Sequence, residues 1–148
     1  MLLQLLLFAL SCAAAVAELP WPHIYRDTRA LPPGDHLLLS VSSNVSASFV
    51  AIDPAHARVI QPLLHQLHSQ SVVWDIGAGI GTVSLHAARR GAHVVAFEWD
   101  PILLHDLRAS VRANSFEDRV TVVAAFPCAR SGSAVVFRRL QRGGTYAG

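Results

Sequence analysis

A chain of 148 residues, 52% hydrophobic and 15% charged, has the size of one ordinary domain and the composition of a chain that buries surface; intrinsic disorder is excluded. The net charge is +2, and the basic residues are 12 arginines with no lysine. They are scattered, adjacent only at Arg89-Arg90 and Arg138-Arg139, so no run tracks a phosphate backbone and nucleic-acid binding is not expected.

Residues 1–17 form an apolar stretch running into small residues, with Ala15-Val16-Ala17 in the small-x-small pattern of a secretory cleavage site. The mature chain would start at Glu18. No Lys or Arg follows Met1, and a retained hydrophobic anchor or an organelle-targeting segment are the alternatives. The expected location is therefore the secretory pathway, with membrane attachment if the segment is kept. Asn44-Val45-Ser46 is a glycosylation sequon, given weight by that leader. Of the two cysteines, Cys12 lies in the removable segment and Cys128 is left unpaired, so no disulfide is expected. No Cys/His cluster has zinc-ligand spacing, His65 and His68 lack a third ligand nearby, and no metal is expected.

Residues 18–57 read as a lead-in with short strands. Four prolines between Glu18 and Asp35 forbid a long helix, and Trp21 and Tyr25 are expected to pack on the domain. Serine and valine alternate through 36–43 and 46–53, which predicts a short hairpin or edge strands. A helix is predicted over 54–68, with Asp53 and Pro54 as its cap and first turn and Val59, Ile60, Leu63, Leu64 and Leu67 on one face.

Residues 58–148 carry a βαβαβ pattern. A buried strand is predicted at 71–77. A helix follows over 80–90, ended by Gly91 in a left-handed cap. A second strand covers 93–98. Asp100 and Pro101 cap a second helix that ends near Asn114, with Leu103, Leu104, Leu107 and Val111 as its core stripe. Further strands are predicted at 119–126 and 133–140, the last antiparallel or at an edge.

Gly77, Gly79 and Gly81 lie between the first of these strands and its helix. Without Cβ atoms the backbone can turn sharply and lie against a ligand, and the helix end offers its N–H groups and positive dipole. Glu98, at the end of the neighbouring strand, can accept hydrogen bonds from ribose hydroxyls. A dinucleotide site needs GxGxxG, but here the spacing is GxGxG and position 82 is Thr. Asp75 stands just before the glycines. Its charge would repel a pyrophosphate and attract the ammonium of a methionine moiety. The composite favours S-adenosylmethionine as cofactor, with a dinucleotide-binding oxidoreductase as the competing reading.

The segment from Val72 to Pro101, followed by RVTVVAAF and a G-x-x-V-x-F strand from Gly132 to Phe137, resembles the FkbM-type methyltransferases, within the class I methyltransferases. The resemblance implies an α/β, Rossmann-like fold, here limited to its first βαβαβ half. It implies cofactor binding by Asp75, Gly77, Gly79, Gly81 and Glu98, and places Trp99 either on the adenine or in the core. Where that family shows Gly-Asp after the third strand, this chain has Phe126-Pro127-Cys128-Ala129-Arg130. The implied activity is O-methylation of a sugar or small-molecule hydroxyl, so a small-molecule or glycan partner is expected. No catalytic residue can be named. His86 and His105 sit on helices and are assigned to surface or packing roles. A half-domain with no catalytic part, acting as a binding module or self-associating through an uncovered sheet edge, is the other reading.

Overall fold

The computed structural model describes residues 22–27, 35–50 and 60–127. The leader or anchor at 1–17, Trp21, the Asp53-Pro54 cap, Cys128 and the strand expected at 133–140 lie outside the described residues. Among those described, no helix is long and apolar enough to cross a membrane.

The chain order is β1 (His23–Asp27), β2 (Leu37–Val41), α1 (Asn44–Val50), β3 (Val72–Ile76), α2 (Thr82–Arg89), β4 (His93–Phe97), α3 (Pro101–Ala113) and β5 (Val120–Val123). The expected βαβαβ unit is present from β3 to β5. Its three strands are parallel in the order β3-β4-β5, with Val72 opposite His93 and Val94 opposite Val120. Successive parallel neighbours of this kind require a helical crossover at each step, which α2 and α3 supply. Gly91 stands at φ 92 just beyond α2, as expected of a left-handed cap. Asp100 caps α3, its side chain accepting from the Ile102 and Leu103 N–H groups at 2.9 and 3.4 Å.

The core lies between the strands and these helices. Ile80, Leu85, Ala87, Val94, Ala96, Leu103, Leu107 and Val111 are buried there. The other face of β3 is open. Val72, Trp74 and Ile76 are 67%, 68% and 57% exposed, which corrects the expectation of a strand buried on both faces. The reason is period two along the strand: α2 and α3 cover the face shared by Val94 and Ala96, and Val72, Trp74 and Ile76 take the opposite one.

The lead-in departs most from expectation. The hairpin is made by β1 and β2, antiparallel with His23 opposite Val41, so half of it comes from the proline-rich stretch read as merely extended. Residues 44–50 are helical, where strand was expected from Ser46 onward. The serine cluster decides this, because Ser43 and Ser46 bond across the first turn: Ser46 N–H donates to Ser43 Oγ at 3.1 Å, and Ser43 N–H donates to Ser46 Oγ at 3.0 Å. Tyr25 packs against the core as expected. Residues 60–64 are helical; Leu64 is buried and Ile60 and Leu67 pack on the core, but Leu63 is 62% exposed.

A polar row on α3 docks the hairpin. Asp106, Ser110 and Asn114 are spaced by four residues and meet β2 and the residue after it at positions spaced by two. Asn114 accepts from Leu38 N–H at 2.9 Å and donates to Leu38 O at 2.7 Å. Ser110 Oγ accepts from Ser40 N–H at 2.8 Å. Asp106 accepts from Ser40 Oγ, Ser42 N–H and Ser42 Oγ at 3.2, 3.0 and 2.9 Å. Four helical residues rise about 6 Å and two strand residues about 6.6 Å, so the two ladders stay in step. These side chains satisfy backbone groups of β2 on the side facing α3. A second tie joins the hairpin to α2, where Asp27 and His86, both buried, meet at 3.3 Å. His86 is thus a packing residue, while the His105 side chain is 67% exposed.

Candidate functional site

The glycine loop links β3 to α2 at the carboxyl end of the parallel strands, where ligands of open α/β sheets are bound. Gly77, Gly79 and Gly81 have φ of 78, 59 and 97. At Gly79 the conformation requires glycine twice over, because a Cβ would also lie 2.7 Å from the Phe49 ring. Gly77 and Ala78 N–H groups both donate to Phe97 O at 3.0 Å, which folds the loop back over the end of β4. Helix α2 begins after Gly81 with no side-chain cap.

Glu98 is 2% exposed, and its carboxylate is held entirely by backbone. One oxygen accepts from Trp99 and Asp100 N–H groups at 2.7 and 2.8 Å, and the other from Gly79 N–H at 2.9 Å. Burial of a carboxylate is offset by such bonds. The expected ribose acceptor is therefore also the tether of the glycine loop. Asp75, half-buried, accepts from Ser84 Oγ at 2.6 Å, which joins the acid at the strand end to the first turn of α2. Trp99 lies over Gly77, its six-membered ring 3.9 Å from where a Cβ would stand. It meets Phe126 edge to face, with ring centroids 4.7 Å apart. The indole faces the loop rather than the core between sheet and helices.

The structure thus brings Asp75, Gly77, Gly79, Gly81, Glu98 and Trp99 to one end of the sheet. Three further residues join them that the sequence reading missed. Ser84 and Phe126 carried a usable signal, a hydroxyl in the first turn after the glycines and an aromatic at the end of the third parallel strand. Phe49 carried none, being placed on a strand that is a helix. Asn44 is exposed at the start of α1, whereas Ser46 of the same sequon is fully buried. Among the described residues no three His, Cys, Asp or Glu side chains are grouped to hold a metal ion.

No family profile matches the chain. It is 36% identical over 70 residues to the ribosomal protein L11 methyltransferase of Geobacillus thermodenitrificans, covering 47% of this chain and 22% of that one. It is 37% identical over 60 residues to the tRNA1(Val) (adenine(37)-N6)-methyltransferase of Shewanella loihica, covering 40% of this chain and 25% of the relative. Among solved structures, a transferase of Pyrococcus horikoshii superposes with a TM-score of 0.54 at 22% identity, over 71% of this chain and 36% of its own. TYW2 of P. horikoshii, solved with MeSAdo, gives 0.52 at 23%, over 71% and 36%. The complex of aTrm5 with tRNALeu gives 0.53 at 16%, over 70% and 28%. The chain spans about a quarter of the curated relatives it matches.

The fold is α/β and Rossmann-like, with a parallel three-stranded sheet that matches its structural neighbours over part of their length. The expectation of S-adenosylmethionine as cofactor agrees with the methyltransferase relatives. The expected small-molecule or glycan partner, with no nucleic acid, is corrected. One relative is a tRNA adenine methyltransferase, and one neighbour was solved with tRNA. Scattered arginines were a poor guide because overall charge does not distinguish one class of partner from another.

Proposed function

We propose that this chain is the donor-binding part of an S-adenosylmethionine-dependent methyltransferase whose acceptor is RNA. The observation that carries the donor is the convergence of Glu98, Asp75 and the left-handed glycines at the carboxyl end of β3 and β4. The residues present fit the group. Asp75 offers charge to the donor ammonium, Gly77 and Gly79 allow the backbone to lie against it, and Glu98 offers a carboxylate to the ribose. Trp99 and Phe126 give an aromatic wall for the adenine. When bound, the donor supplies an electrophilic methyl group on a sulfonium. The chain holds that group in place for in-line attack, and orientation of this kind is a large part of the rate gain in such transfers. The Glu98 carboxylate has about four acceptor sites, of which backbone N–H groups take three, so a ribose hydroxyl would add to these bonds and leave the Gly79 tether in place.

The RNA acceptor is supported by the tRNA-modifying relative and rests on no residue of this chain. The FkbM-type resemblance is a finer reading, carried by the segment from Asp75 to Pro101. Titration calorimetry with S-adenosylhomocysteine tests the donor site. We expect binding to the intact chain, with Glu98→Gln weakening it at least tenfold, about 1.4 kcal/mol. Equal affinity for the variant, or binding of NAD(H) with none of S-adenosylhomocysteine, would overturn the assignment. Label from a tritiated methyl donor should appear in tRNA; label in protein alone would overturn the RNA acceptor.

A further inference from the structure

Phe49 lies outside the βαβαβ unit, yet its ring rests on the middle of the glycine loop. A Cβ built on Gly79 would stand 2.7 Å from two ring carbons, so the ring fills the space that a side chain would take. On its amide side, the same peptide is held by Glu98 Oε2 at 2.9 Å. Gly79 is thus held by a flat apolar surface and by a buried carboxylate.

The placement of Phe49 is determined by groups far from the loop. Asp106, fully buried, receives the Ser42 N–H and hydroxyl and fixes the turn after β2 on α3. Ser46 Oγ accepts from the Ser42 and Ser43 N–H groups at 3.1 and 3.0 Å and starts α1 there. Val50 and Ala47 are buried on the core side of α1, which sets its rotation and leaves Phe49 against Gly79.

We infer that Phe49 is a positioning residue for the donor, acting through Gly79: it presses the loop onto Glu98 and so holds the backbone in its donor-binding shape. This rests on the donor site proposed above. Segment 42–50 is then a functional part of the donor site, and not a lead-in. Preorganisation of this kind raises affinity by removing the ordering cost from the binding step.

The test uses the intact chain and its Phe49→Ala and Phe49→Leu variants. Two readouts are taken, calorimetric binding of S-adenosylhomocysteine and amide hydrogen exchange at Gly79 and, for reference, at Leu107. We expect Phe49→Ala to weaken binding about tenfold and to speed Gly79 exchange about tenfold, with Leu107 exchange unchanged. Phe49→Leu, which keeps apolar bulk, should show a smaller change in the same direction. A merely structural role would speed both amides together, and that result overturns the inference. Should Phe49→Ala fail to fold, Phe49→Leu decides alone, and wild-type affinity with wild-type Gly79 exchange overturns it. Absence of binding by the wild-type chain overturns the donor site and this inference with it. Wild-type binding that the variants leave intact overturns the inference only.

Discussion

Replacing Asp106 by alanine removes the carboxylate on which the hairpin and the start of α1 converge. The side chain is fully buried and accepts from Ser40 Oγ, Ser42 N–H and Ser42 Oγ. The two hydroxyls can rotate to other acceptors, but the Ser42 N–H keeps only its 3.1 Å contact with Ser46 Oγ. A hydrogen bond to a charged group contributes about 1.5–3 kcal/mol, and three such bonds are lost before the hydroxyls and the Ser42 N–H recover what they can from other acceptors. The expected loss for Asp106→Ala is therefore about 2–4 kcal/mol, a large share of the stability of an ordinary domain. Urea unfolding followed by far-UV circular dichroism would read this as a midpoint lowered by about 1–2 M, for a slope of about 2 kcal/mol/M. Asp106→Asn should fall between, because its amide retains one acceptor oxygen. Ser110→Ala, on the same row, should cost about 1–3 kcal/mol, since it takes the Ser110 acceptor from the buried Ser40 N–H. An Asp106→Ala midpoint within 0.2 M of wild type, taken as about the scatter of such fits, would refute the view that this row docks the hairpin.

Two further effects are smaller. Asp100→Ala removes the cap of α3, which accepts from Ile102 and Leu103, and should cost about 1 kcal/mol by the same urea assay. Asp35 is held below its ordinary pKa of 3.8, chiefly by its side-chain hydrogen bond with Arg89. A depressed carboxylate stabilises the fold above its unfolded pKa, and that contribution is lost as pH falls through the folded value. In Arg89→Gln the Asp35 carboxyl, followed by NMR, should titrate closer to 3.8, and the small rise of stability with pH just below that value should flatten.

Much of the βαβαβ unit was legible in the chain because its signals are local. Gly91 ends a helix and Asp100-Pro101 starts one through contacts within a turn or two, and the GxGxG spacing with Asp75 and Glu98 marks a strand end whatever surrounds it. The candidate residues therefore lie together at one end of the sheet. Periodicity also gave the apolar face of α3, with Leu103, Leu107 and Val111 buried and Leu104, expected with them, half-buried.

Tertiary structure decided what depends on contacts between distant segments. Asp106, Ser110 and Asn114 look in sequence like part of a solvated polar face. They are core-facing because β2 presents its backbone to them at a matching repeat. The segment from Ser46 read as a strand, but hydrogen bonds between Ser43 and Ser46, and the turn fixed by Asp106, favour helix there. That change of period is what places Phe49 on Gly79. It follows from the local Ser43–Ser46 pair together with the turn that Asp106 fixes, and Asp106 is 64 residues from Ser42 in the chain.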